Sequence, residues 1–233
     1  MDRWYVLVAS PLVGPAGWEW VGAELRMLGH RVVVPELSAP NAPAPVWRAH
    51  VDAITSVIPK GVDVVLVGHS AAGRLIPLVA DVVDPKAMSL FVDAQIPNDR
   101  AEPVADDDWF LAHVQSMAVD GMLPPWSEWW GSDAWTTLVP DARRRAVLAA
   151  SLPRVTLASV AEEPPPPVHW SGPAAYLRFS ELFREHAAVA AARGWLVDEI
   201  PGEHLHMAVD APAVAAKLVA LADRTAEAYG SQP

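Results

Sequence analysis

Residues 62–73 read Val-Asp-Val-Val-Leu-Val-Gly-His-Ser-Ala-Ala-Gly. The β-branched, apolar residues at the start of this stretch predict a strand that is buried on both faces, as in a parallel sheet. The small residues that follow predict a sharp turn with Ser70 at its apex, and a helix after it. We therefore expect the Ser70 hydroxyl to project above the edge of the sheet where the strands end.

A serine on such a turn is a candidate nucleophile. The backbone N–H of Ala71, the next residue, is then free to face an oxyanion that develops during attack on a carbonyl group. A serine hydroxyl is a poor nucleophile near neutral pH, so the chemistry also requires a base within hydrogen-bonding reach and a carboxylate that orients this base.

Strand patterns and helix patterns alternate along the rest of the chain. Apolar residues recur at helical intervals over 18–28, where Gly29 ends the pattern, and again over 46–58. This alternation predicts a three-layer α/β/α fold with a doubly wound, mainly parallel sheet, whose ligands bind at the carboxyl ends of the strands. The predicted strands cover residues 4–9, 31–34, 62–67, 88–93, 176–180 and 196–200.

A long insertion interrupts this alternation. We expect residues 1–97 and 174–233 to form the core and residues 98–173 to form a helical cap rich in tryptophan. The cap tryptophans could build the cap's own core or line a pocket above Ser70, and either arrangement favours an apolar or aromatic substrate. The candidate pocket residues in the cap are Trp126, Trp129, Trp130 and Trp135.

Composition excludes several classes of function. The chain has 233 residues, of which 52% are hydrophobic and 19% charged, enough for one well-buried domain. It has no cysteine, which excludes disulfides, thiolate catalysis and cysteine-ligated metals. A net charge of −11 argues against a nucleic-acid surface.

The same sequence predicts no membrane span and a cytoplasmic location. No apolar run approaches the roughly 18 to 20 residues that a span requires, and the N-terminal residues lead into a strand rather than a signal peptide. We expect a small apolar molecule as the partner and no metal or cofactor, and the oligomeric state stays open.

The stretch around Ser70 and a late Gly-Glu-His sequence at 202–204 together resemble the α/β-hydrolase superfamily. The resemblance is to its small esterase and hydroxynitrile-lyase-like branch. The usual G-x-S-x-G pattern has one change here, because Ala72 stands at the last glycine position and Gly73 follows it.

The resemblance implies a catalytic histidine on the loop after the last strand. His204 matches that position, and His206 is its competitor two residues later. His69 resembles the common Gly-His-Ser form of the turn, where the histidine shapes the turn beside the pocket and transfers no proton.

Two carboxylates remain candidates for the acid. Asp93 ends the strand at 88–93, a position that resembles the acid of dehalogenase-like members, and a buried strand that ends in aspartate needs a partner for the charge. Glu181 follows the strand at 176–180, where most members carry aspartate, although it could simply favour the start of a helix. We favour Asp93, with Glu181 as the alternative.

The second oxyanion donor departs from the family pattern. Members usually have His-Gly after the first strand, whereas this chain has Ser10 and Pro11. Because proline has no N–H, we expect the N–H of Leu12 to act as the donor together with that of Ala71, with Pro11 beside the pocket.

The resemblance implies a serine hydrolase. Its substrate would be an ester, thioester, lactone or amide with a small apolar or aromatic body. The altered loop leaves two alternatives open: a non-hydrolytic acid–base enzyme of lyase or cyclase type that uses the same serine and histidine, or a catalytically weak small-molecule binder on the same fold.

Overall fold

The computed structural model describes residues 3–37, 43–97, 107–163, 165, 166, 168 and 170–230. Its strands are β1 (Trp4–Val8), β2 (Arg31–Val33), β3 (Val64–Ser70), β4 (Met88–Ala94), β5 (Ala174–Arg178) and β6 (Leu196–Glu199). They form one sheet in the order β2-β1-β3-β4-β5-β6, and all neighbouring pairs are parallel. Strand order reverses between β1 and β3, so the carboxyl ends of these two strands border the crevice in which such sheets bind ligands.

In the described segments, nine α-helices accompany the strands. They are α1 (Ala16–Met27), α2 (Val46–Ser56), α3 (Ile76–Val83), α4 (Asp107–Met117), α5 (Ser132–Leu138), α6 (Ala142–Ser151), α7 (Leu157–Val160), α8 (Arg184–Ala192) and α9 (Ala211–Gly230). Short 3₁₀ turns cover Ala71–Arg74, Trp126–Glu128, Glu181–Phe183 and His206–Ala208.

Alternate residues of β1 point to opposite faces of the sheet. Tyr5 and Leu7 belong to the apolar cluster that α1 and α9 complete, whereas Val6 and Val8 belong to the cluster that α2, α3 and α8 complete. All four side chains are fully buried. The sheet is therefore covered on both faces, and the predicted three-layer α/β/α fold class is confirmed.

The predicted cap corresponds to α4–α7, between β4 and β5. Residues 98–106, where it was expected to begin, lie outside the described residues, and its boundaries stay a prediction. Apolar cap side chains join the same cluster as α1 and α9 rather than forming a separate core. The buried members are Val114, Leu123, Trp126, Trp129, Val139 and Leu148.

One cap arginine binds the loop that carries His204. Arg144 Nη1 donates to the carbonyl oxygens of Ala208 and Val209 at 2.7 and 2.9 Å, and its guanidinium lies 5.3 Å from the centre of the Trp20 ring. The cap is thus tied to the loop beside the site. Across the described ranges, no helix is long and apolar enough to cross a membrane.

Candidate active site

Ser70 occupies a strained turn between β3 and the 3₁₀ turn that precedes α3. Its φ of 58° and ψ of −130° lie outside the region that non-glycine residues prefer, at a cost of roughly 1–3 kcal/mol. Small neighbours make the turn possible. A Cβ added at Gly68 would press on Ile76, and one added at Gly73 would overlap the carbonyl oxygen of Gln95.

Asp93 is the extra residue of a β-bulge. In the pairing of β3 with β4, His69 lies opposite Val92, but Ser70 lies opposite Ala94, so Asp93 is skipped. Its φ is 42°, another positive value for a residue that is not glycine. A bulge redirects the side chain that it displaces. Here it sets the carboxylate beside the end of β5.

Tyr176 secures the backbone after the bulge. Its hydroxyl accepts a hydrogen bond from the N–H of Ala94 at 2.9 Å and donates one to the Ala94 carbonyl oxygen at 2.8 Å. Burial, together with the nearby charge of Asp93, raises the pKa of Tyr176 well above its usual range, so the hydroxyl keeps its proton.

We expect Tyr176→Phe to lower the free energy of unfolding by about 2 kcal/mol, because it leaves a buried N–H and a buried C=O of Ala94 without this partner. Tyr229→Phe is the matched control, since Tyr229 is 40% exposed and its change should cost less than about 0.5 kcal/mol. Urea unfolding of the two variants checks this expectation, and equal losses would contradict it.

The Asp93 carboxylate is buried and accepts hydrogen bonds on both oxygens. Oδ1 accepts from the N–H groups of Phe179 and Ser180, each at 2.9 Å. Oδ2 accepts from Ser180 Oγ at 2.6 Å and from His204 Nδ1 at 2.7 Å. Burial alone would raise the pKa of Asp93, but the hydrogen bonds and charge of His204 and the hydrogen bonds of Ser180 outweigh it and hold this pKa below its usual value.

The contact with Asp93 orients the His204 ring. A carboxylate has no proton to give, so His204 Nδ1 donates to Asp93 and Nε2 takes no part in this contact. His204 lies on the loop after β6 and is 7% exposed. The competitor His206 instead packs its ring 5.5 Å from that of Phe179. Among the described residues, no hydrogen bond joins Ser70 Oγ to His204.

His69 holds the loop that carries His204 by a hydrogen bond. Its Nε2 donates to the carbonyl oxygen of His204 at 2.9 Å, and the two rings lie 4.5 Å apart. Burial lowers the pKa of His69 to about 3, and the charge of His204 adds to this effect, so the ring is neutral near pH 7. We predicted that His69 lies beside the pocket. Its side chain is completely buried, so it offers no surface to a ligand.

Glu181 lies away from the Asp93–His204 pair. Its carboxylate points to solvent and pairs with Arg178 at 3.1 Å and Arg184 at 3.0 Å. As the alternative acid it would have to reach His204 Nδ1, which Asp93 already occupies. The preceding residue, Ser180, is the one that faces the site.

The two predicted oxyanion donors, one after β3 and one after β1, have different surroundings. Ala71 begins a 3₁₀ turn, and the first N–H groups of a helix have no acceptor within it. Leu12 instead donates its N–H to Ser10 Oγ at 3.3 Å. Pro11 is a partly exposed turn residue, and the turn is closed by N–H groups of Val13 and Gly14 that donate to the Ser10 carbonyl.

The four candidate cap tryptophans differ in their surroundings. Trp126 has its ring 6.5 Å from that of His204, and the Trp135 ring lies 5.9 Å from that of Trp126. Trp129 is buried and donates its indole N–H to the Pro124 carbonyl. Trp130 is 38% exposed and stacks on His113. The last two therefore have roles within the cap.

Sequence reasoning missed three residues that hold the site together. Tyr176 secures the bulge, Ser180 binds Asp93, and Phe183 stacks on the His204 ring at 4.8 Å with the planes 6° apart. Phe183 and Ser180 belong to one turn after β5, and the only local signal is that they follow the end of a buried strand. Within the described segments, no group of three potential metal ligands is present.

Solved structures resemble this chain over nearly its whole length. Tomato methylketone synthase I bound to 2-tridecanone has a TM-score of 0.72 at 16% identity, with 97% of this chain and 99% of that chain covered. A pyrethroid hydrolase from Sphingobium faniae has a TM-score of 0.66 at 15% identity, with 97% and 100% covered.

A third similar structure is an extracellular α/β-hydrolase from a Paenibacillus species, which is described as structurally and functionally homologous to tobacco salicylic acid binding protein 2. Its TM-score is 0.64 at 17% identity, with 95% of this chain and 99% of that chain covered. No protein-family model and no curated protein sequence matches the chain. Likeness at this identity concerns architecture, and it agrees with the sheet order and the strained serine turn: the chain has the α/β-hydrolase fold.

Proposed function

We propose that this protein is a serine hydrolase in which Ser70 is the nucleophile, His204 the general base and Asp93 the orienting acid. The observation that carries the proposal is the 2.7 Å hydrogen bond between His204 Nδ1 and Asp93 Oδ2, formed beside a serine held at positive φ. This pairing leaves His204 Nε2 as the nitrogen that can accept a proton. His204 also packs against His69, the residue before Ser70.

The reaction follows from these positions. Ser70 Oγ attacks the substrate carbonyl while its proton passes to His204 Nε2, and the N–H of Ala71 stabilises the oxyanion. The imidazolium then protonates the leaving alcohol, thiol or amine. Water, deprotonated by the same nitrogen, releases the acid and restores Ser70. The Ser70–His204 contact would close on substrate binding, since catalytic hydrogen bonds are often long in free enzymes.

The surroundings of His204 favour a small apolar or aromatic substrate. Phe183 stacks on one side of the ring and Trp126 lies at 6.5 Å, so a bound acyl group would meet aromatic carbon rather than charge. The described 2-tridecanone complex of methylketone synthase shows that this fold can hold an aliphatic chain. We therefore expect esters with a short apolar acyl group to be better substrates than esters with a charged acyl group.

Labelling with a fluorophosphonate probe tests the nucleophile. The folded wild-type protein should gain one phosphonyl group on Ser70, located by peptide mass spectrometry. Ser70→Ala should abolish labelling, and Ser89→Ala, which changes a buried serine at the start of β4, should leave it intact. An unlabelled Ser70 in correctly folded wild-type protein would refute the hydrolase proposal.

One observation favours a second candidate, a non-hydrolytic acid–base enzyme. Leu12 N–H is already donated to Ser10 Oγ, so a second backbone donor for an oxyanion is engaged. Loss of one donor typically costs about 10²–10³ in hydrolytic turnover, whereas proton transfer by His204 does not need an acyl-enzyme. An acyl adduct on Ser70, trapped with p-nitrophenyl butyrate, would support hydrolysis over this alternative.

A further inference from the structure

Ser180 makes the shortest recorded contact to the proposed acid. Its hydroxyl lies 2.6 Å from Asp93 Oδ2, the same oxygen that His204 Nδ1 contacts at 2.7 Å. Ser180 is 5% exposed and Asp93 is fully buried. Solvent therefore has little access to compete for this oxygen.

The direction of this hydrogen bond is fixed by the charge of its acceptor. An ionised carboxylate only accepts, so Ser180 Oγ is the donor, and such charge-assisted bonds are short and about twice as strong as neutral ones. The Ser180 N–H binds the other oxygen, Oδ1, at 2.9 Å. One residue thus holds both oxygens and prevents the carboxylate from rotating away from His204.

The turn that begins at Ser180 also contacts the base. Three residues on, Phe183 lies parallel to the His204 ring at a centroid distance of 4.8 Å. Phe179, just before Ser180, adds its N–H to Asp93 Oδ1 at 2.9 Å. In the segment after β5, Phe179 and Ser180 therefore contact the proposed acid and Phe183 contacts the proposed base.

We propose that Ser180 is a positioning residue for the Asp93–His204 pair, with its hydroxyl fixing Asp93 Oδ2 in line with His204 Nδ1. This inference rests on the proposed roles of Asp93 and His204. The Ser180 hydroxyl contacts no reacting atom. Its effect is to hold the His204 Nδ1–H on Asp93, which leaves Nε2 as the nitrogen that accepts the proton of Ser70 in the proposed reaction.

The test compares Ser180→Ala with Ser180→Thr, which keeps the hydroxyl, and with Ser89→Ala, which removes another buried hydroxyl whose own hydrogen bond is long, 3.5 Å. We expect Ser180→Ala to lower kcat for p-nitrophenyl butyrate about 10- to 100-fold with little change in KM, as loss of a hydrogen bond to a charged group implies. Ser180→Thr should recover most of this loss, and Ser89→Ala should resemble the wild type.

A measurement without substrate separates this inference from the proposed function. The proton between His204 Nδ1 and Asp93 should give a far-downfield NMR resonance, which Ser180→Ala should broaden and the other two variants should retain. If Ser180→Ala fails to fold, Ser180→Cys, which donates only weakly, replaces it with the same expectations.

If Ser180→Ala had the same kcat as Ser89→Ala and kept the downfield resonance, the positioning role of Ser180 would be overturned. The hydrolase proposal would stay intact. A wild-type protein that neither turns over the ester nor reacts with a fluorophosphonate would instead refute the hydrolase proposal. In that event the resonance still decides whether Ser180 holds the pair together.

Discussion

Asp93→Asn should lower the turnover of an ester substrate by roughly 10⁴-fold, whereas Glu181→Gln should leave it within about threefold of wild type. An asparagine amide can present its N–H₂ to His204 Nδ1. That contact stabilises the tautomer whose proton is on Nε2, and this nitrogen then cannot accept the proton of Ser70. Glu181 makes exposed ion pairs to Arg178 and Arg184, which contribute little energy and do not touch His204.

Steady-state kinetics with p-nitrophenyl butyrate checks this contrast. Circular dichroism and urea unfolding must accompany it, because Asp93 also accepts N–H groups from Phe179 and Ser180, and the fold loses part of that network in the variant. A folded Asp93→Asn protein with full activity would show that Asp93 is not the acid. A large loss in Glu181→Gln alone would return the role to Glu181.

Local sequence patterns predicted the fold because each strand and helix has its own periodicity. The apolar, β-branched residues before Ser70 predict a buried strand whatever follows them, and the small residues at 71–73 predict a tight turn. The structure extends β3 through Ser70 rather than ending it at residue 67, since β4 keeps pairing with it across the bulge at Asp93. A bulge depends on both strands, so one strand's sequence does not reveal it.

The choice between two acids could not follow from sequence for a related reason. Asp93 follows β4 and Glu181 follows β5, and both strands lie between β3, which carries Ser70, and β6, which precedes His204, so strand order alone does not decide between the two acids. What distinguishes their surroundings is a set of hydrogen bonds between residues 86 and 87 positions apart in sequence. The cap presented the same difficulty, because Trp126 and Trp130 lie in one short stretch of sequence but have different surroundings in the fold.

Gly73→Ala should lower the free energy of unfolding by about 3 kcal/mol, whereas Gly17→Ala should leave it unchanged or raise it by up to about 1 kcal/mol. A methyl group at residue 73 would overlap the Gln95 carbonyl oxygen and press on Ala94. The overlapping atoms of Gln95 are backbone atoms directly after β4, so the overlap can be relieved only by moving the backbone at the end of that strand. At Gly17, in α1, the nearest atoms would be 3.7 and 3.8 Å away, which is ordinary contact.

The contrast between Gly73→Ala and Gly17→Ala also tests which small residue the turn at Ser70 requires. Ala72 stands where the usual pattern has its last glycine, yet it is fully buried in the cluster that includes Ile76, and the backbone approaches closely one residue later, at Gly73. Urea unfolding of the two glycine variants measures this difference directly. If Gly73→Ala were as stable as Gly17→Ala, β4 could yield at Gln95. Asp93 would then not be held rigidly enough for its bulge to fix the carboxylate against His204.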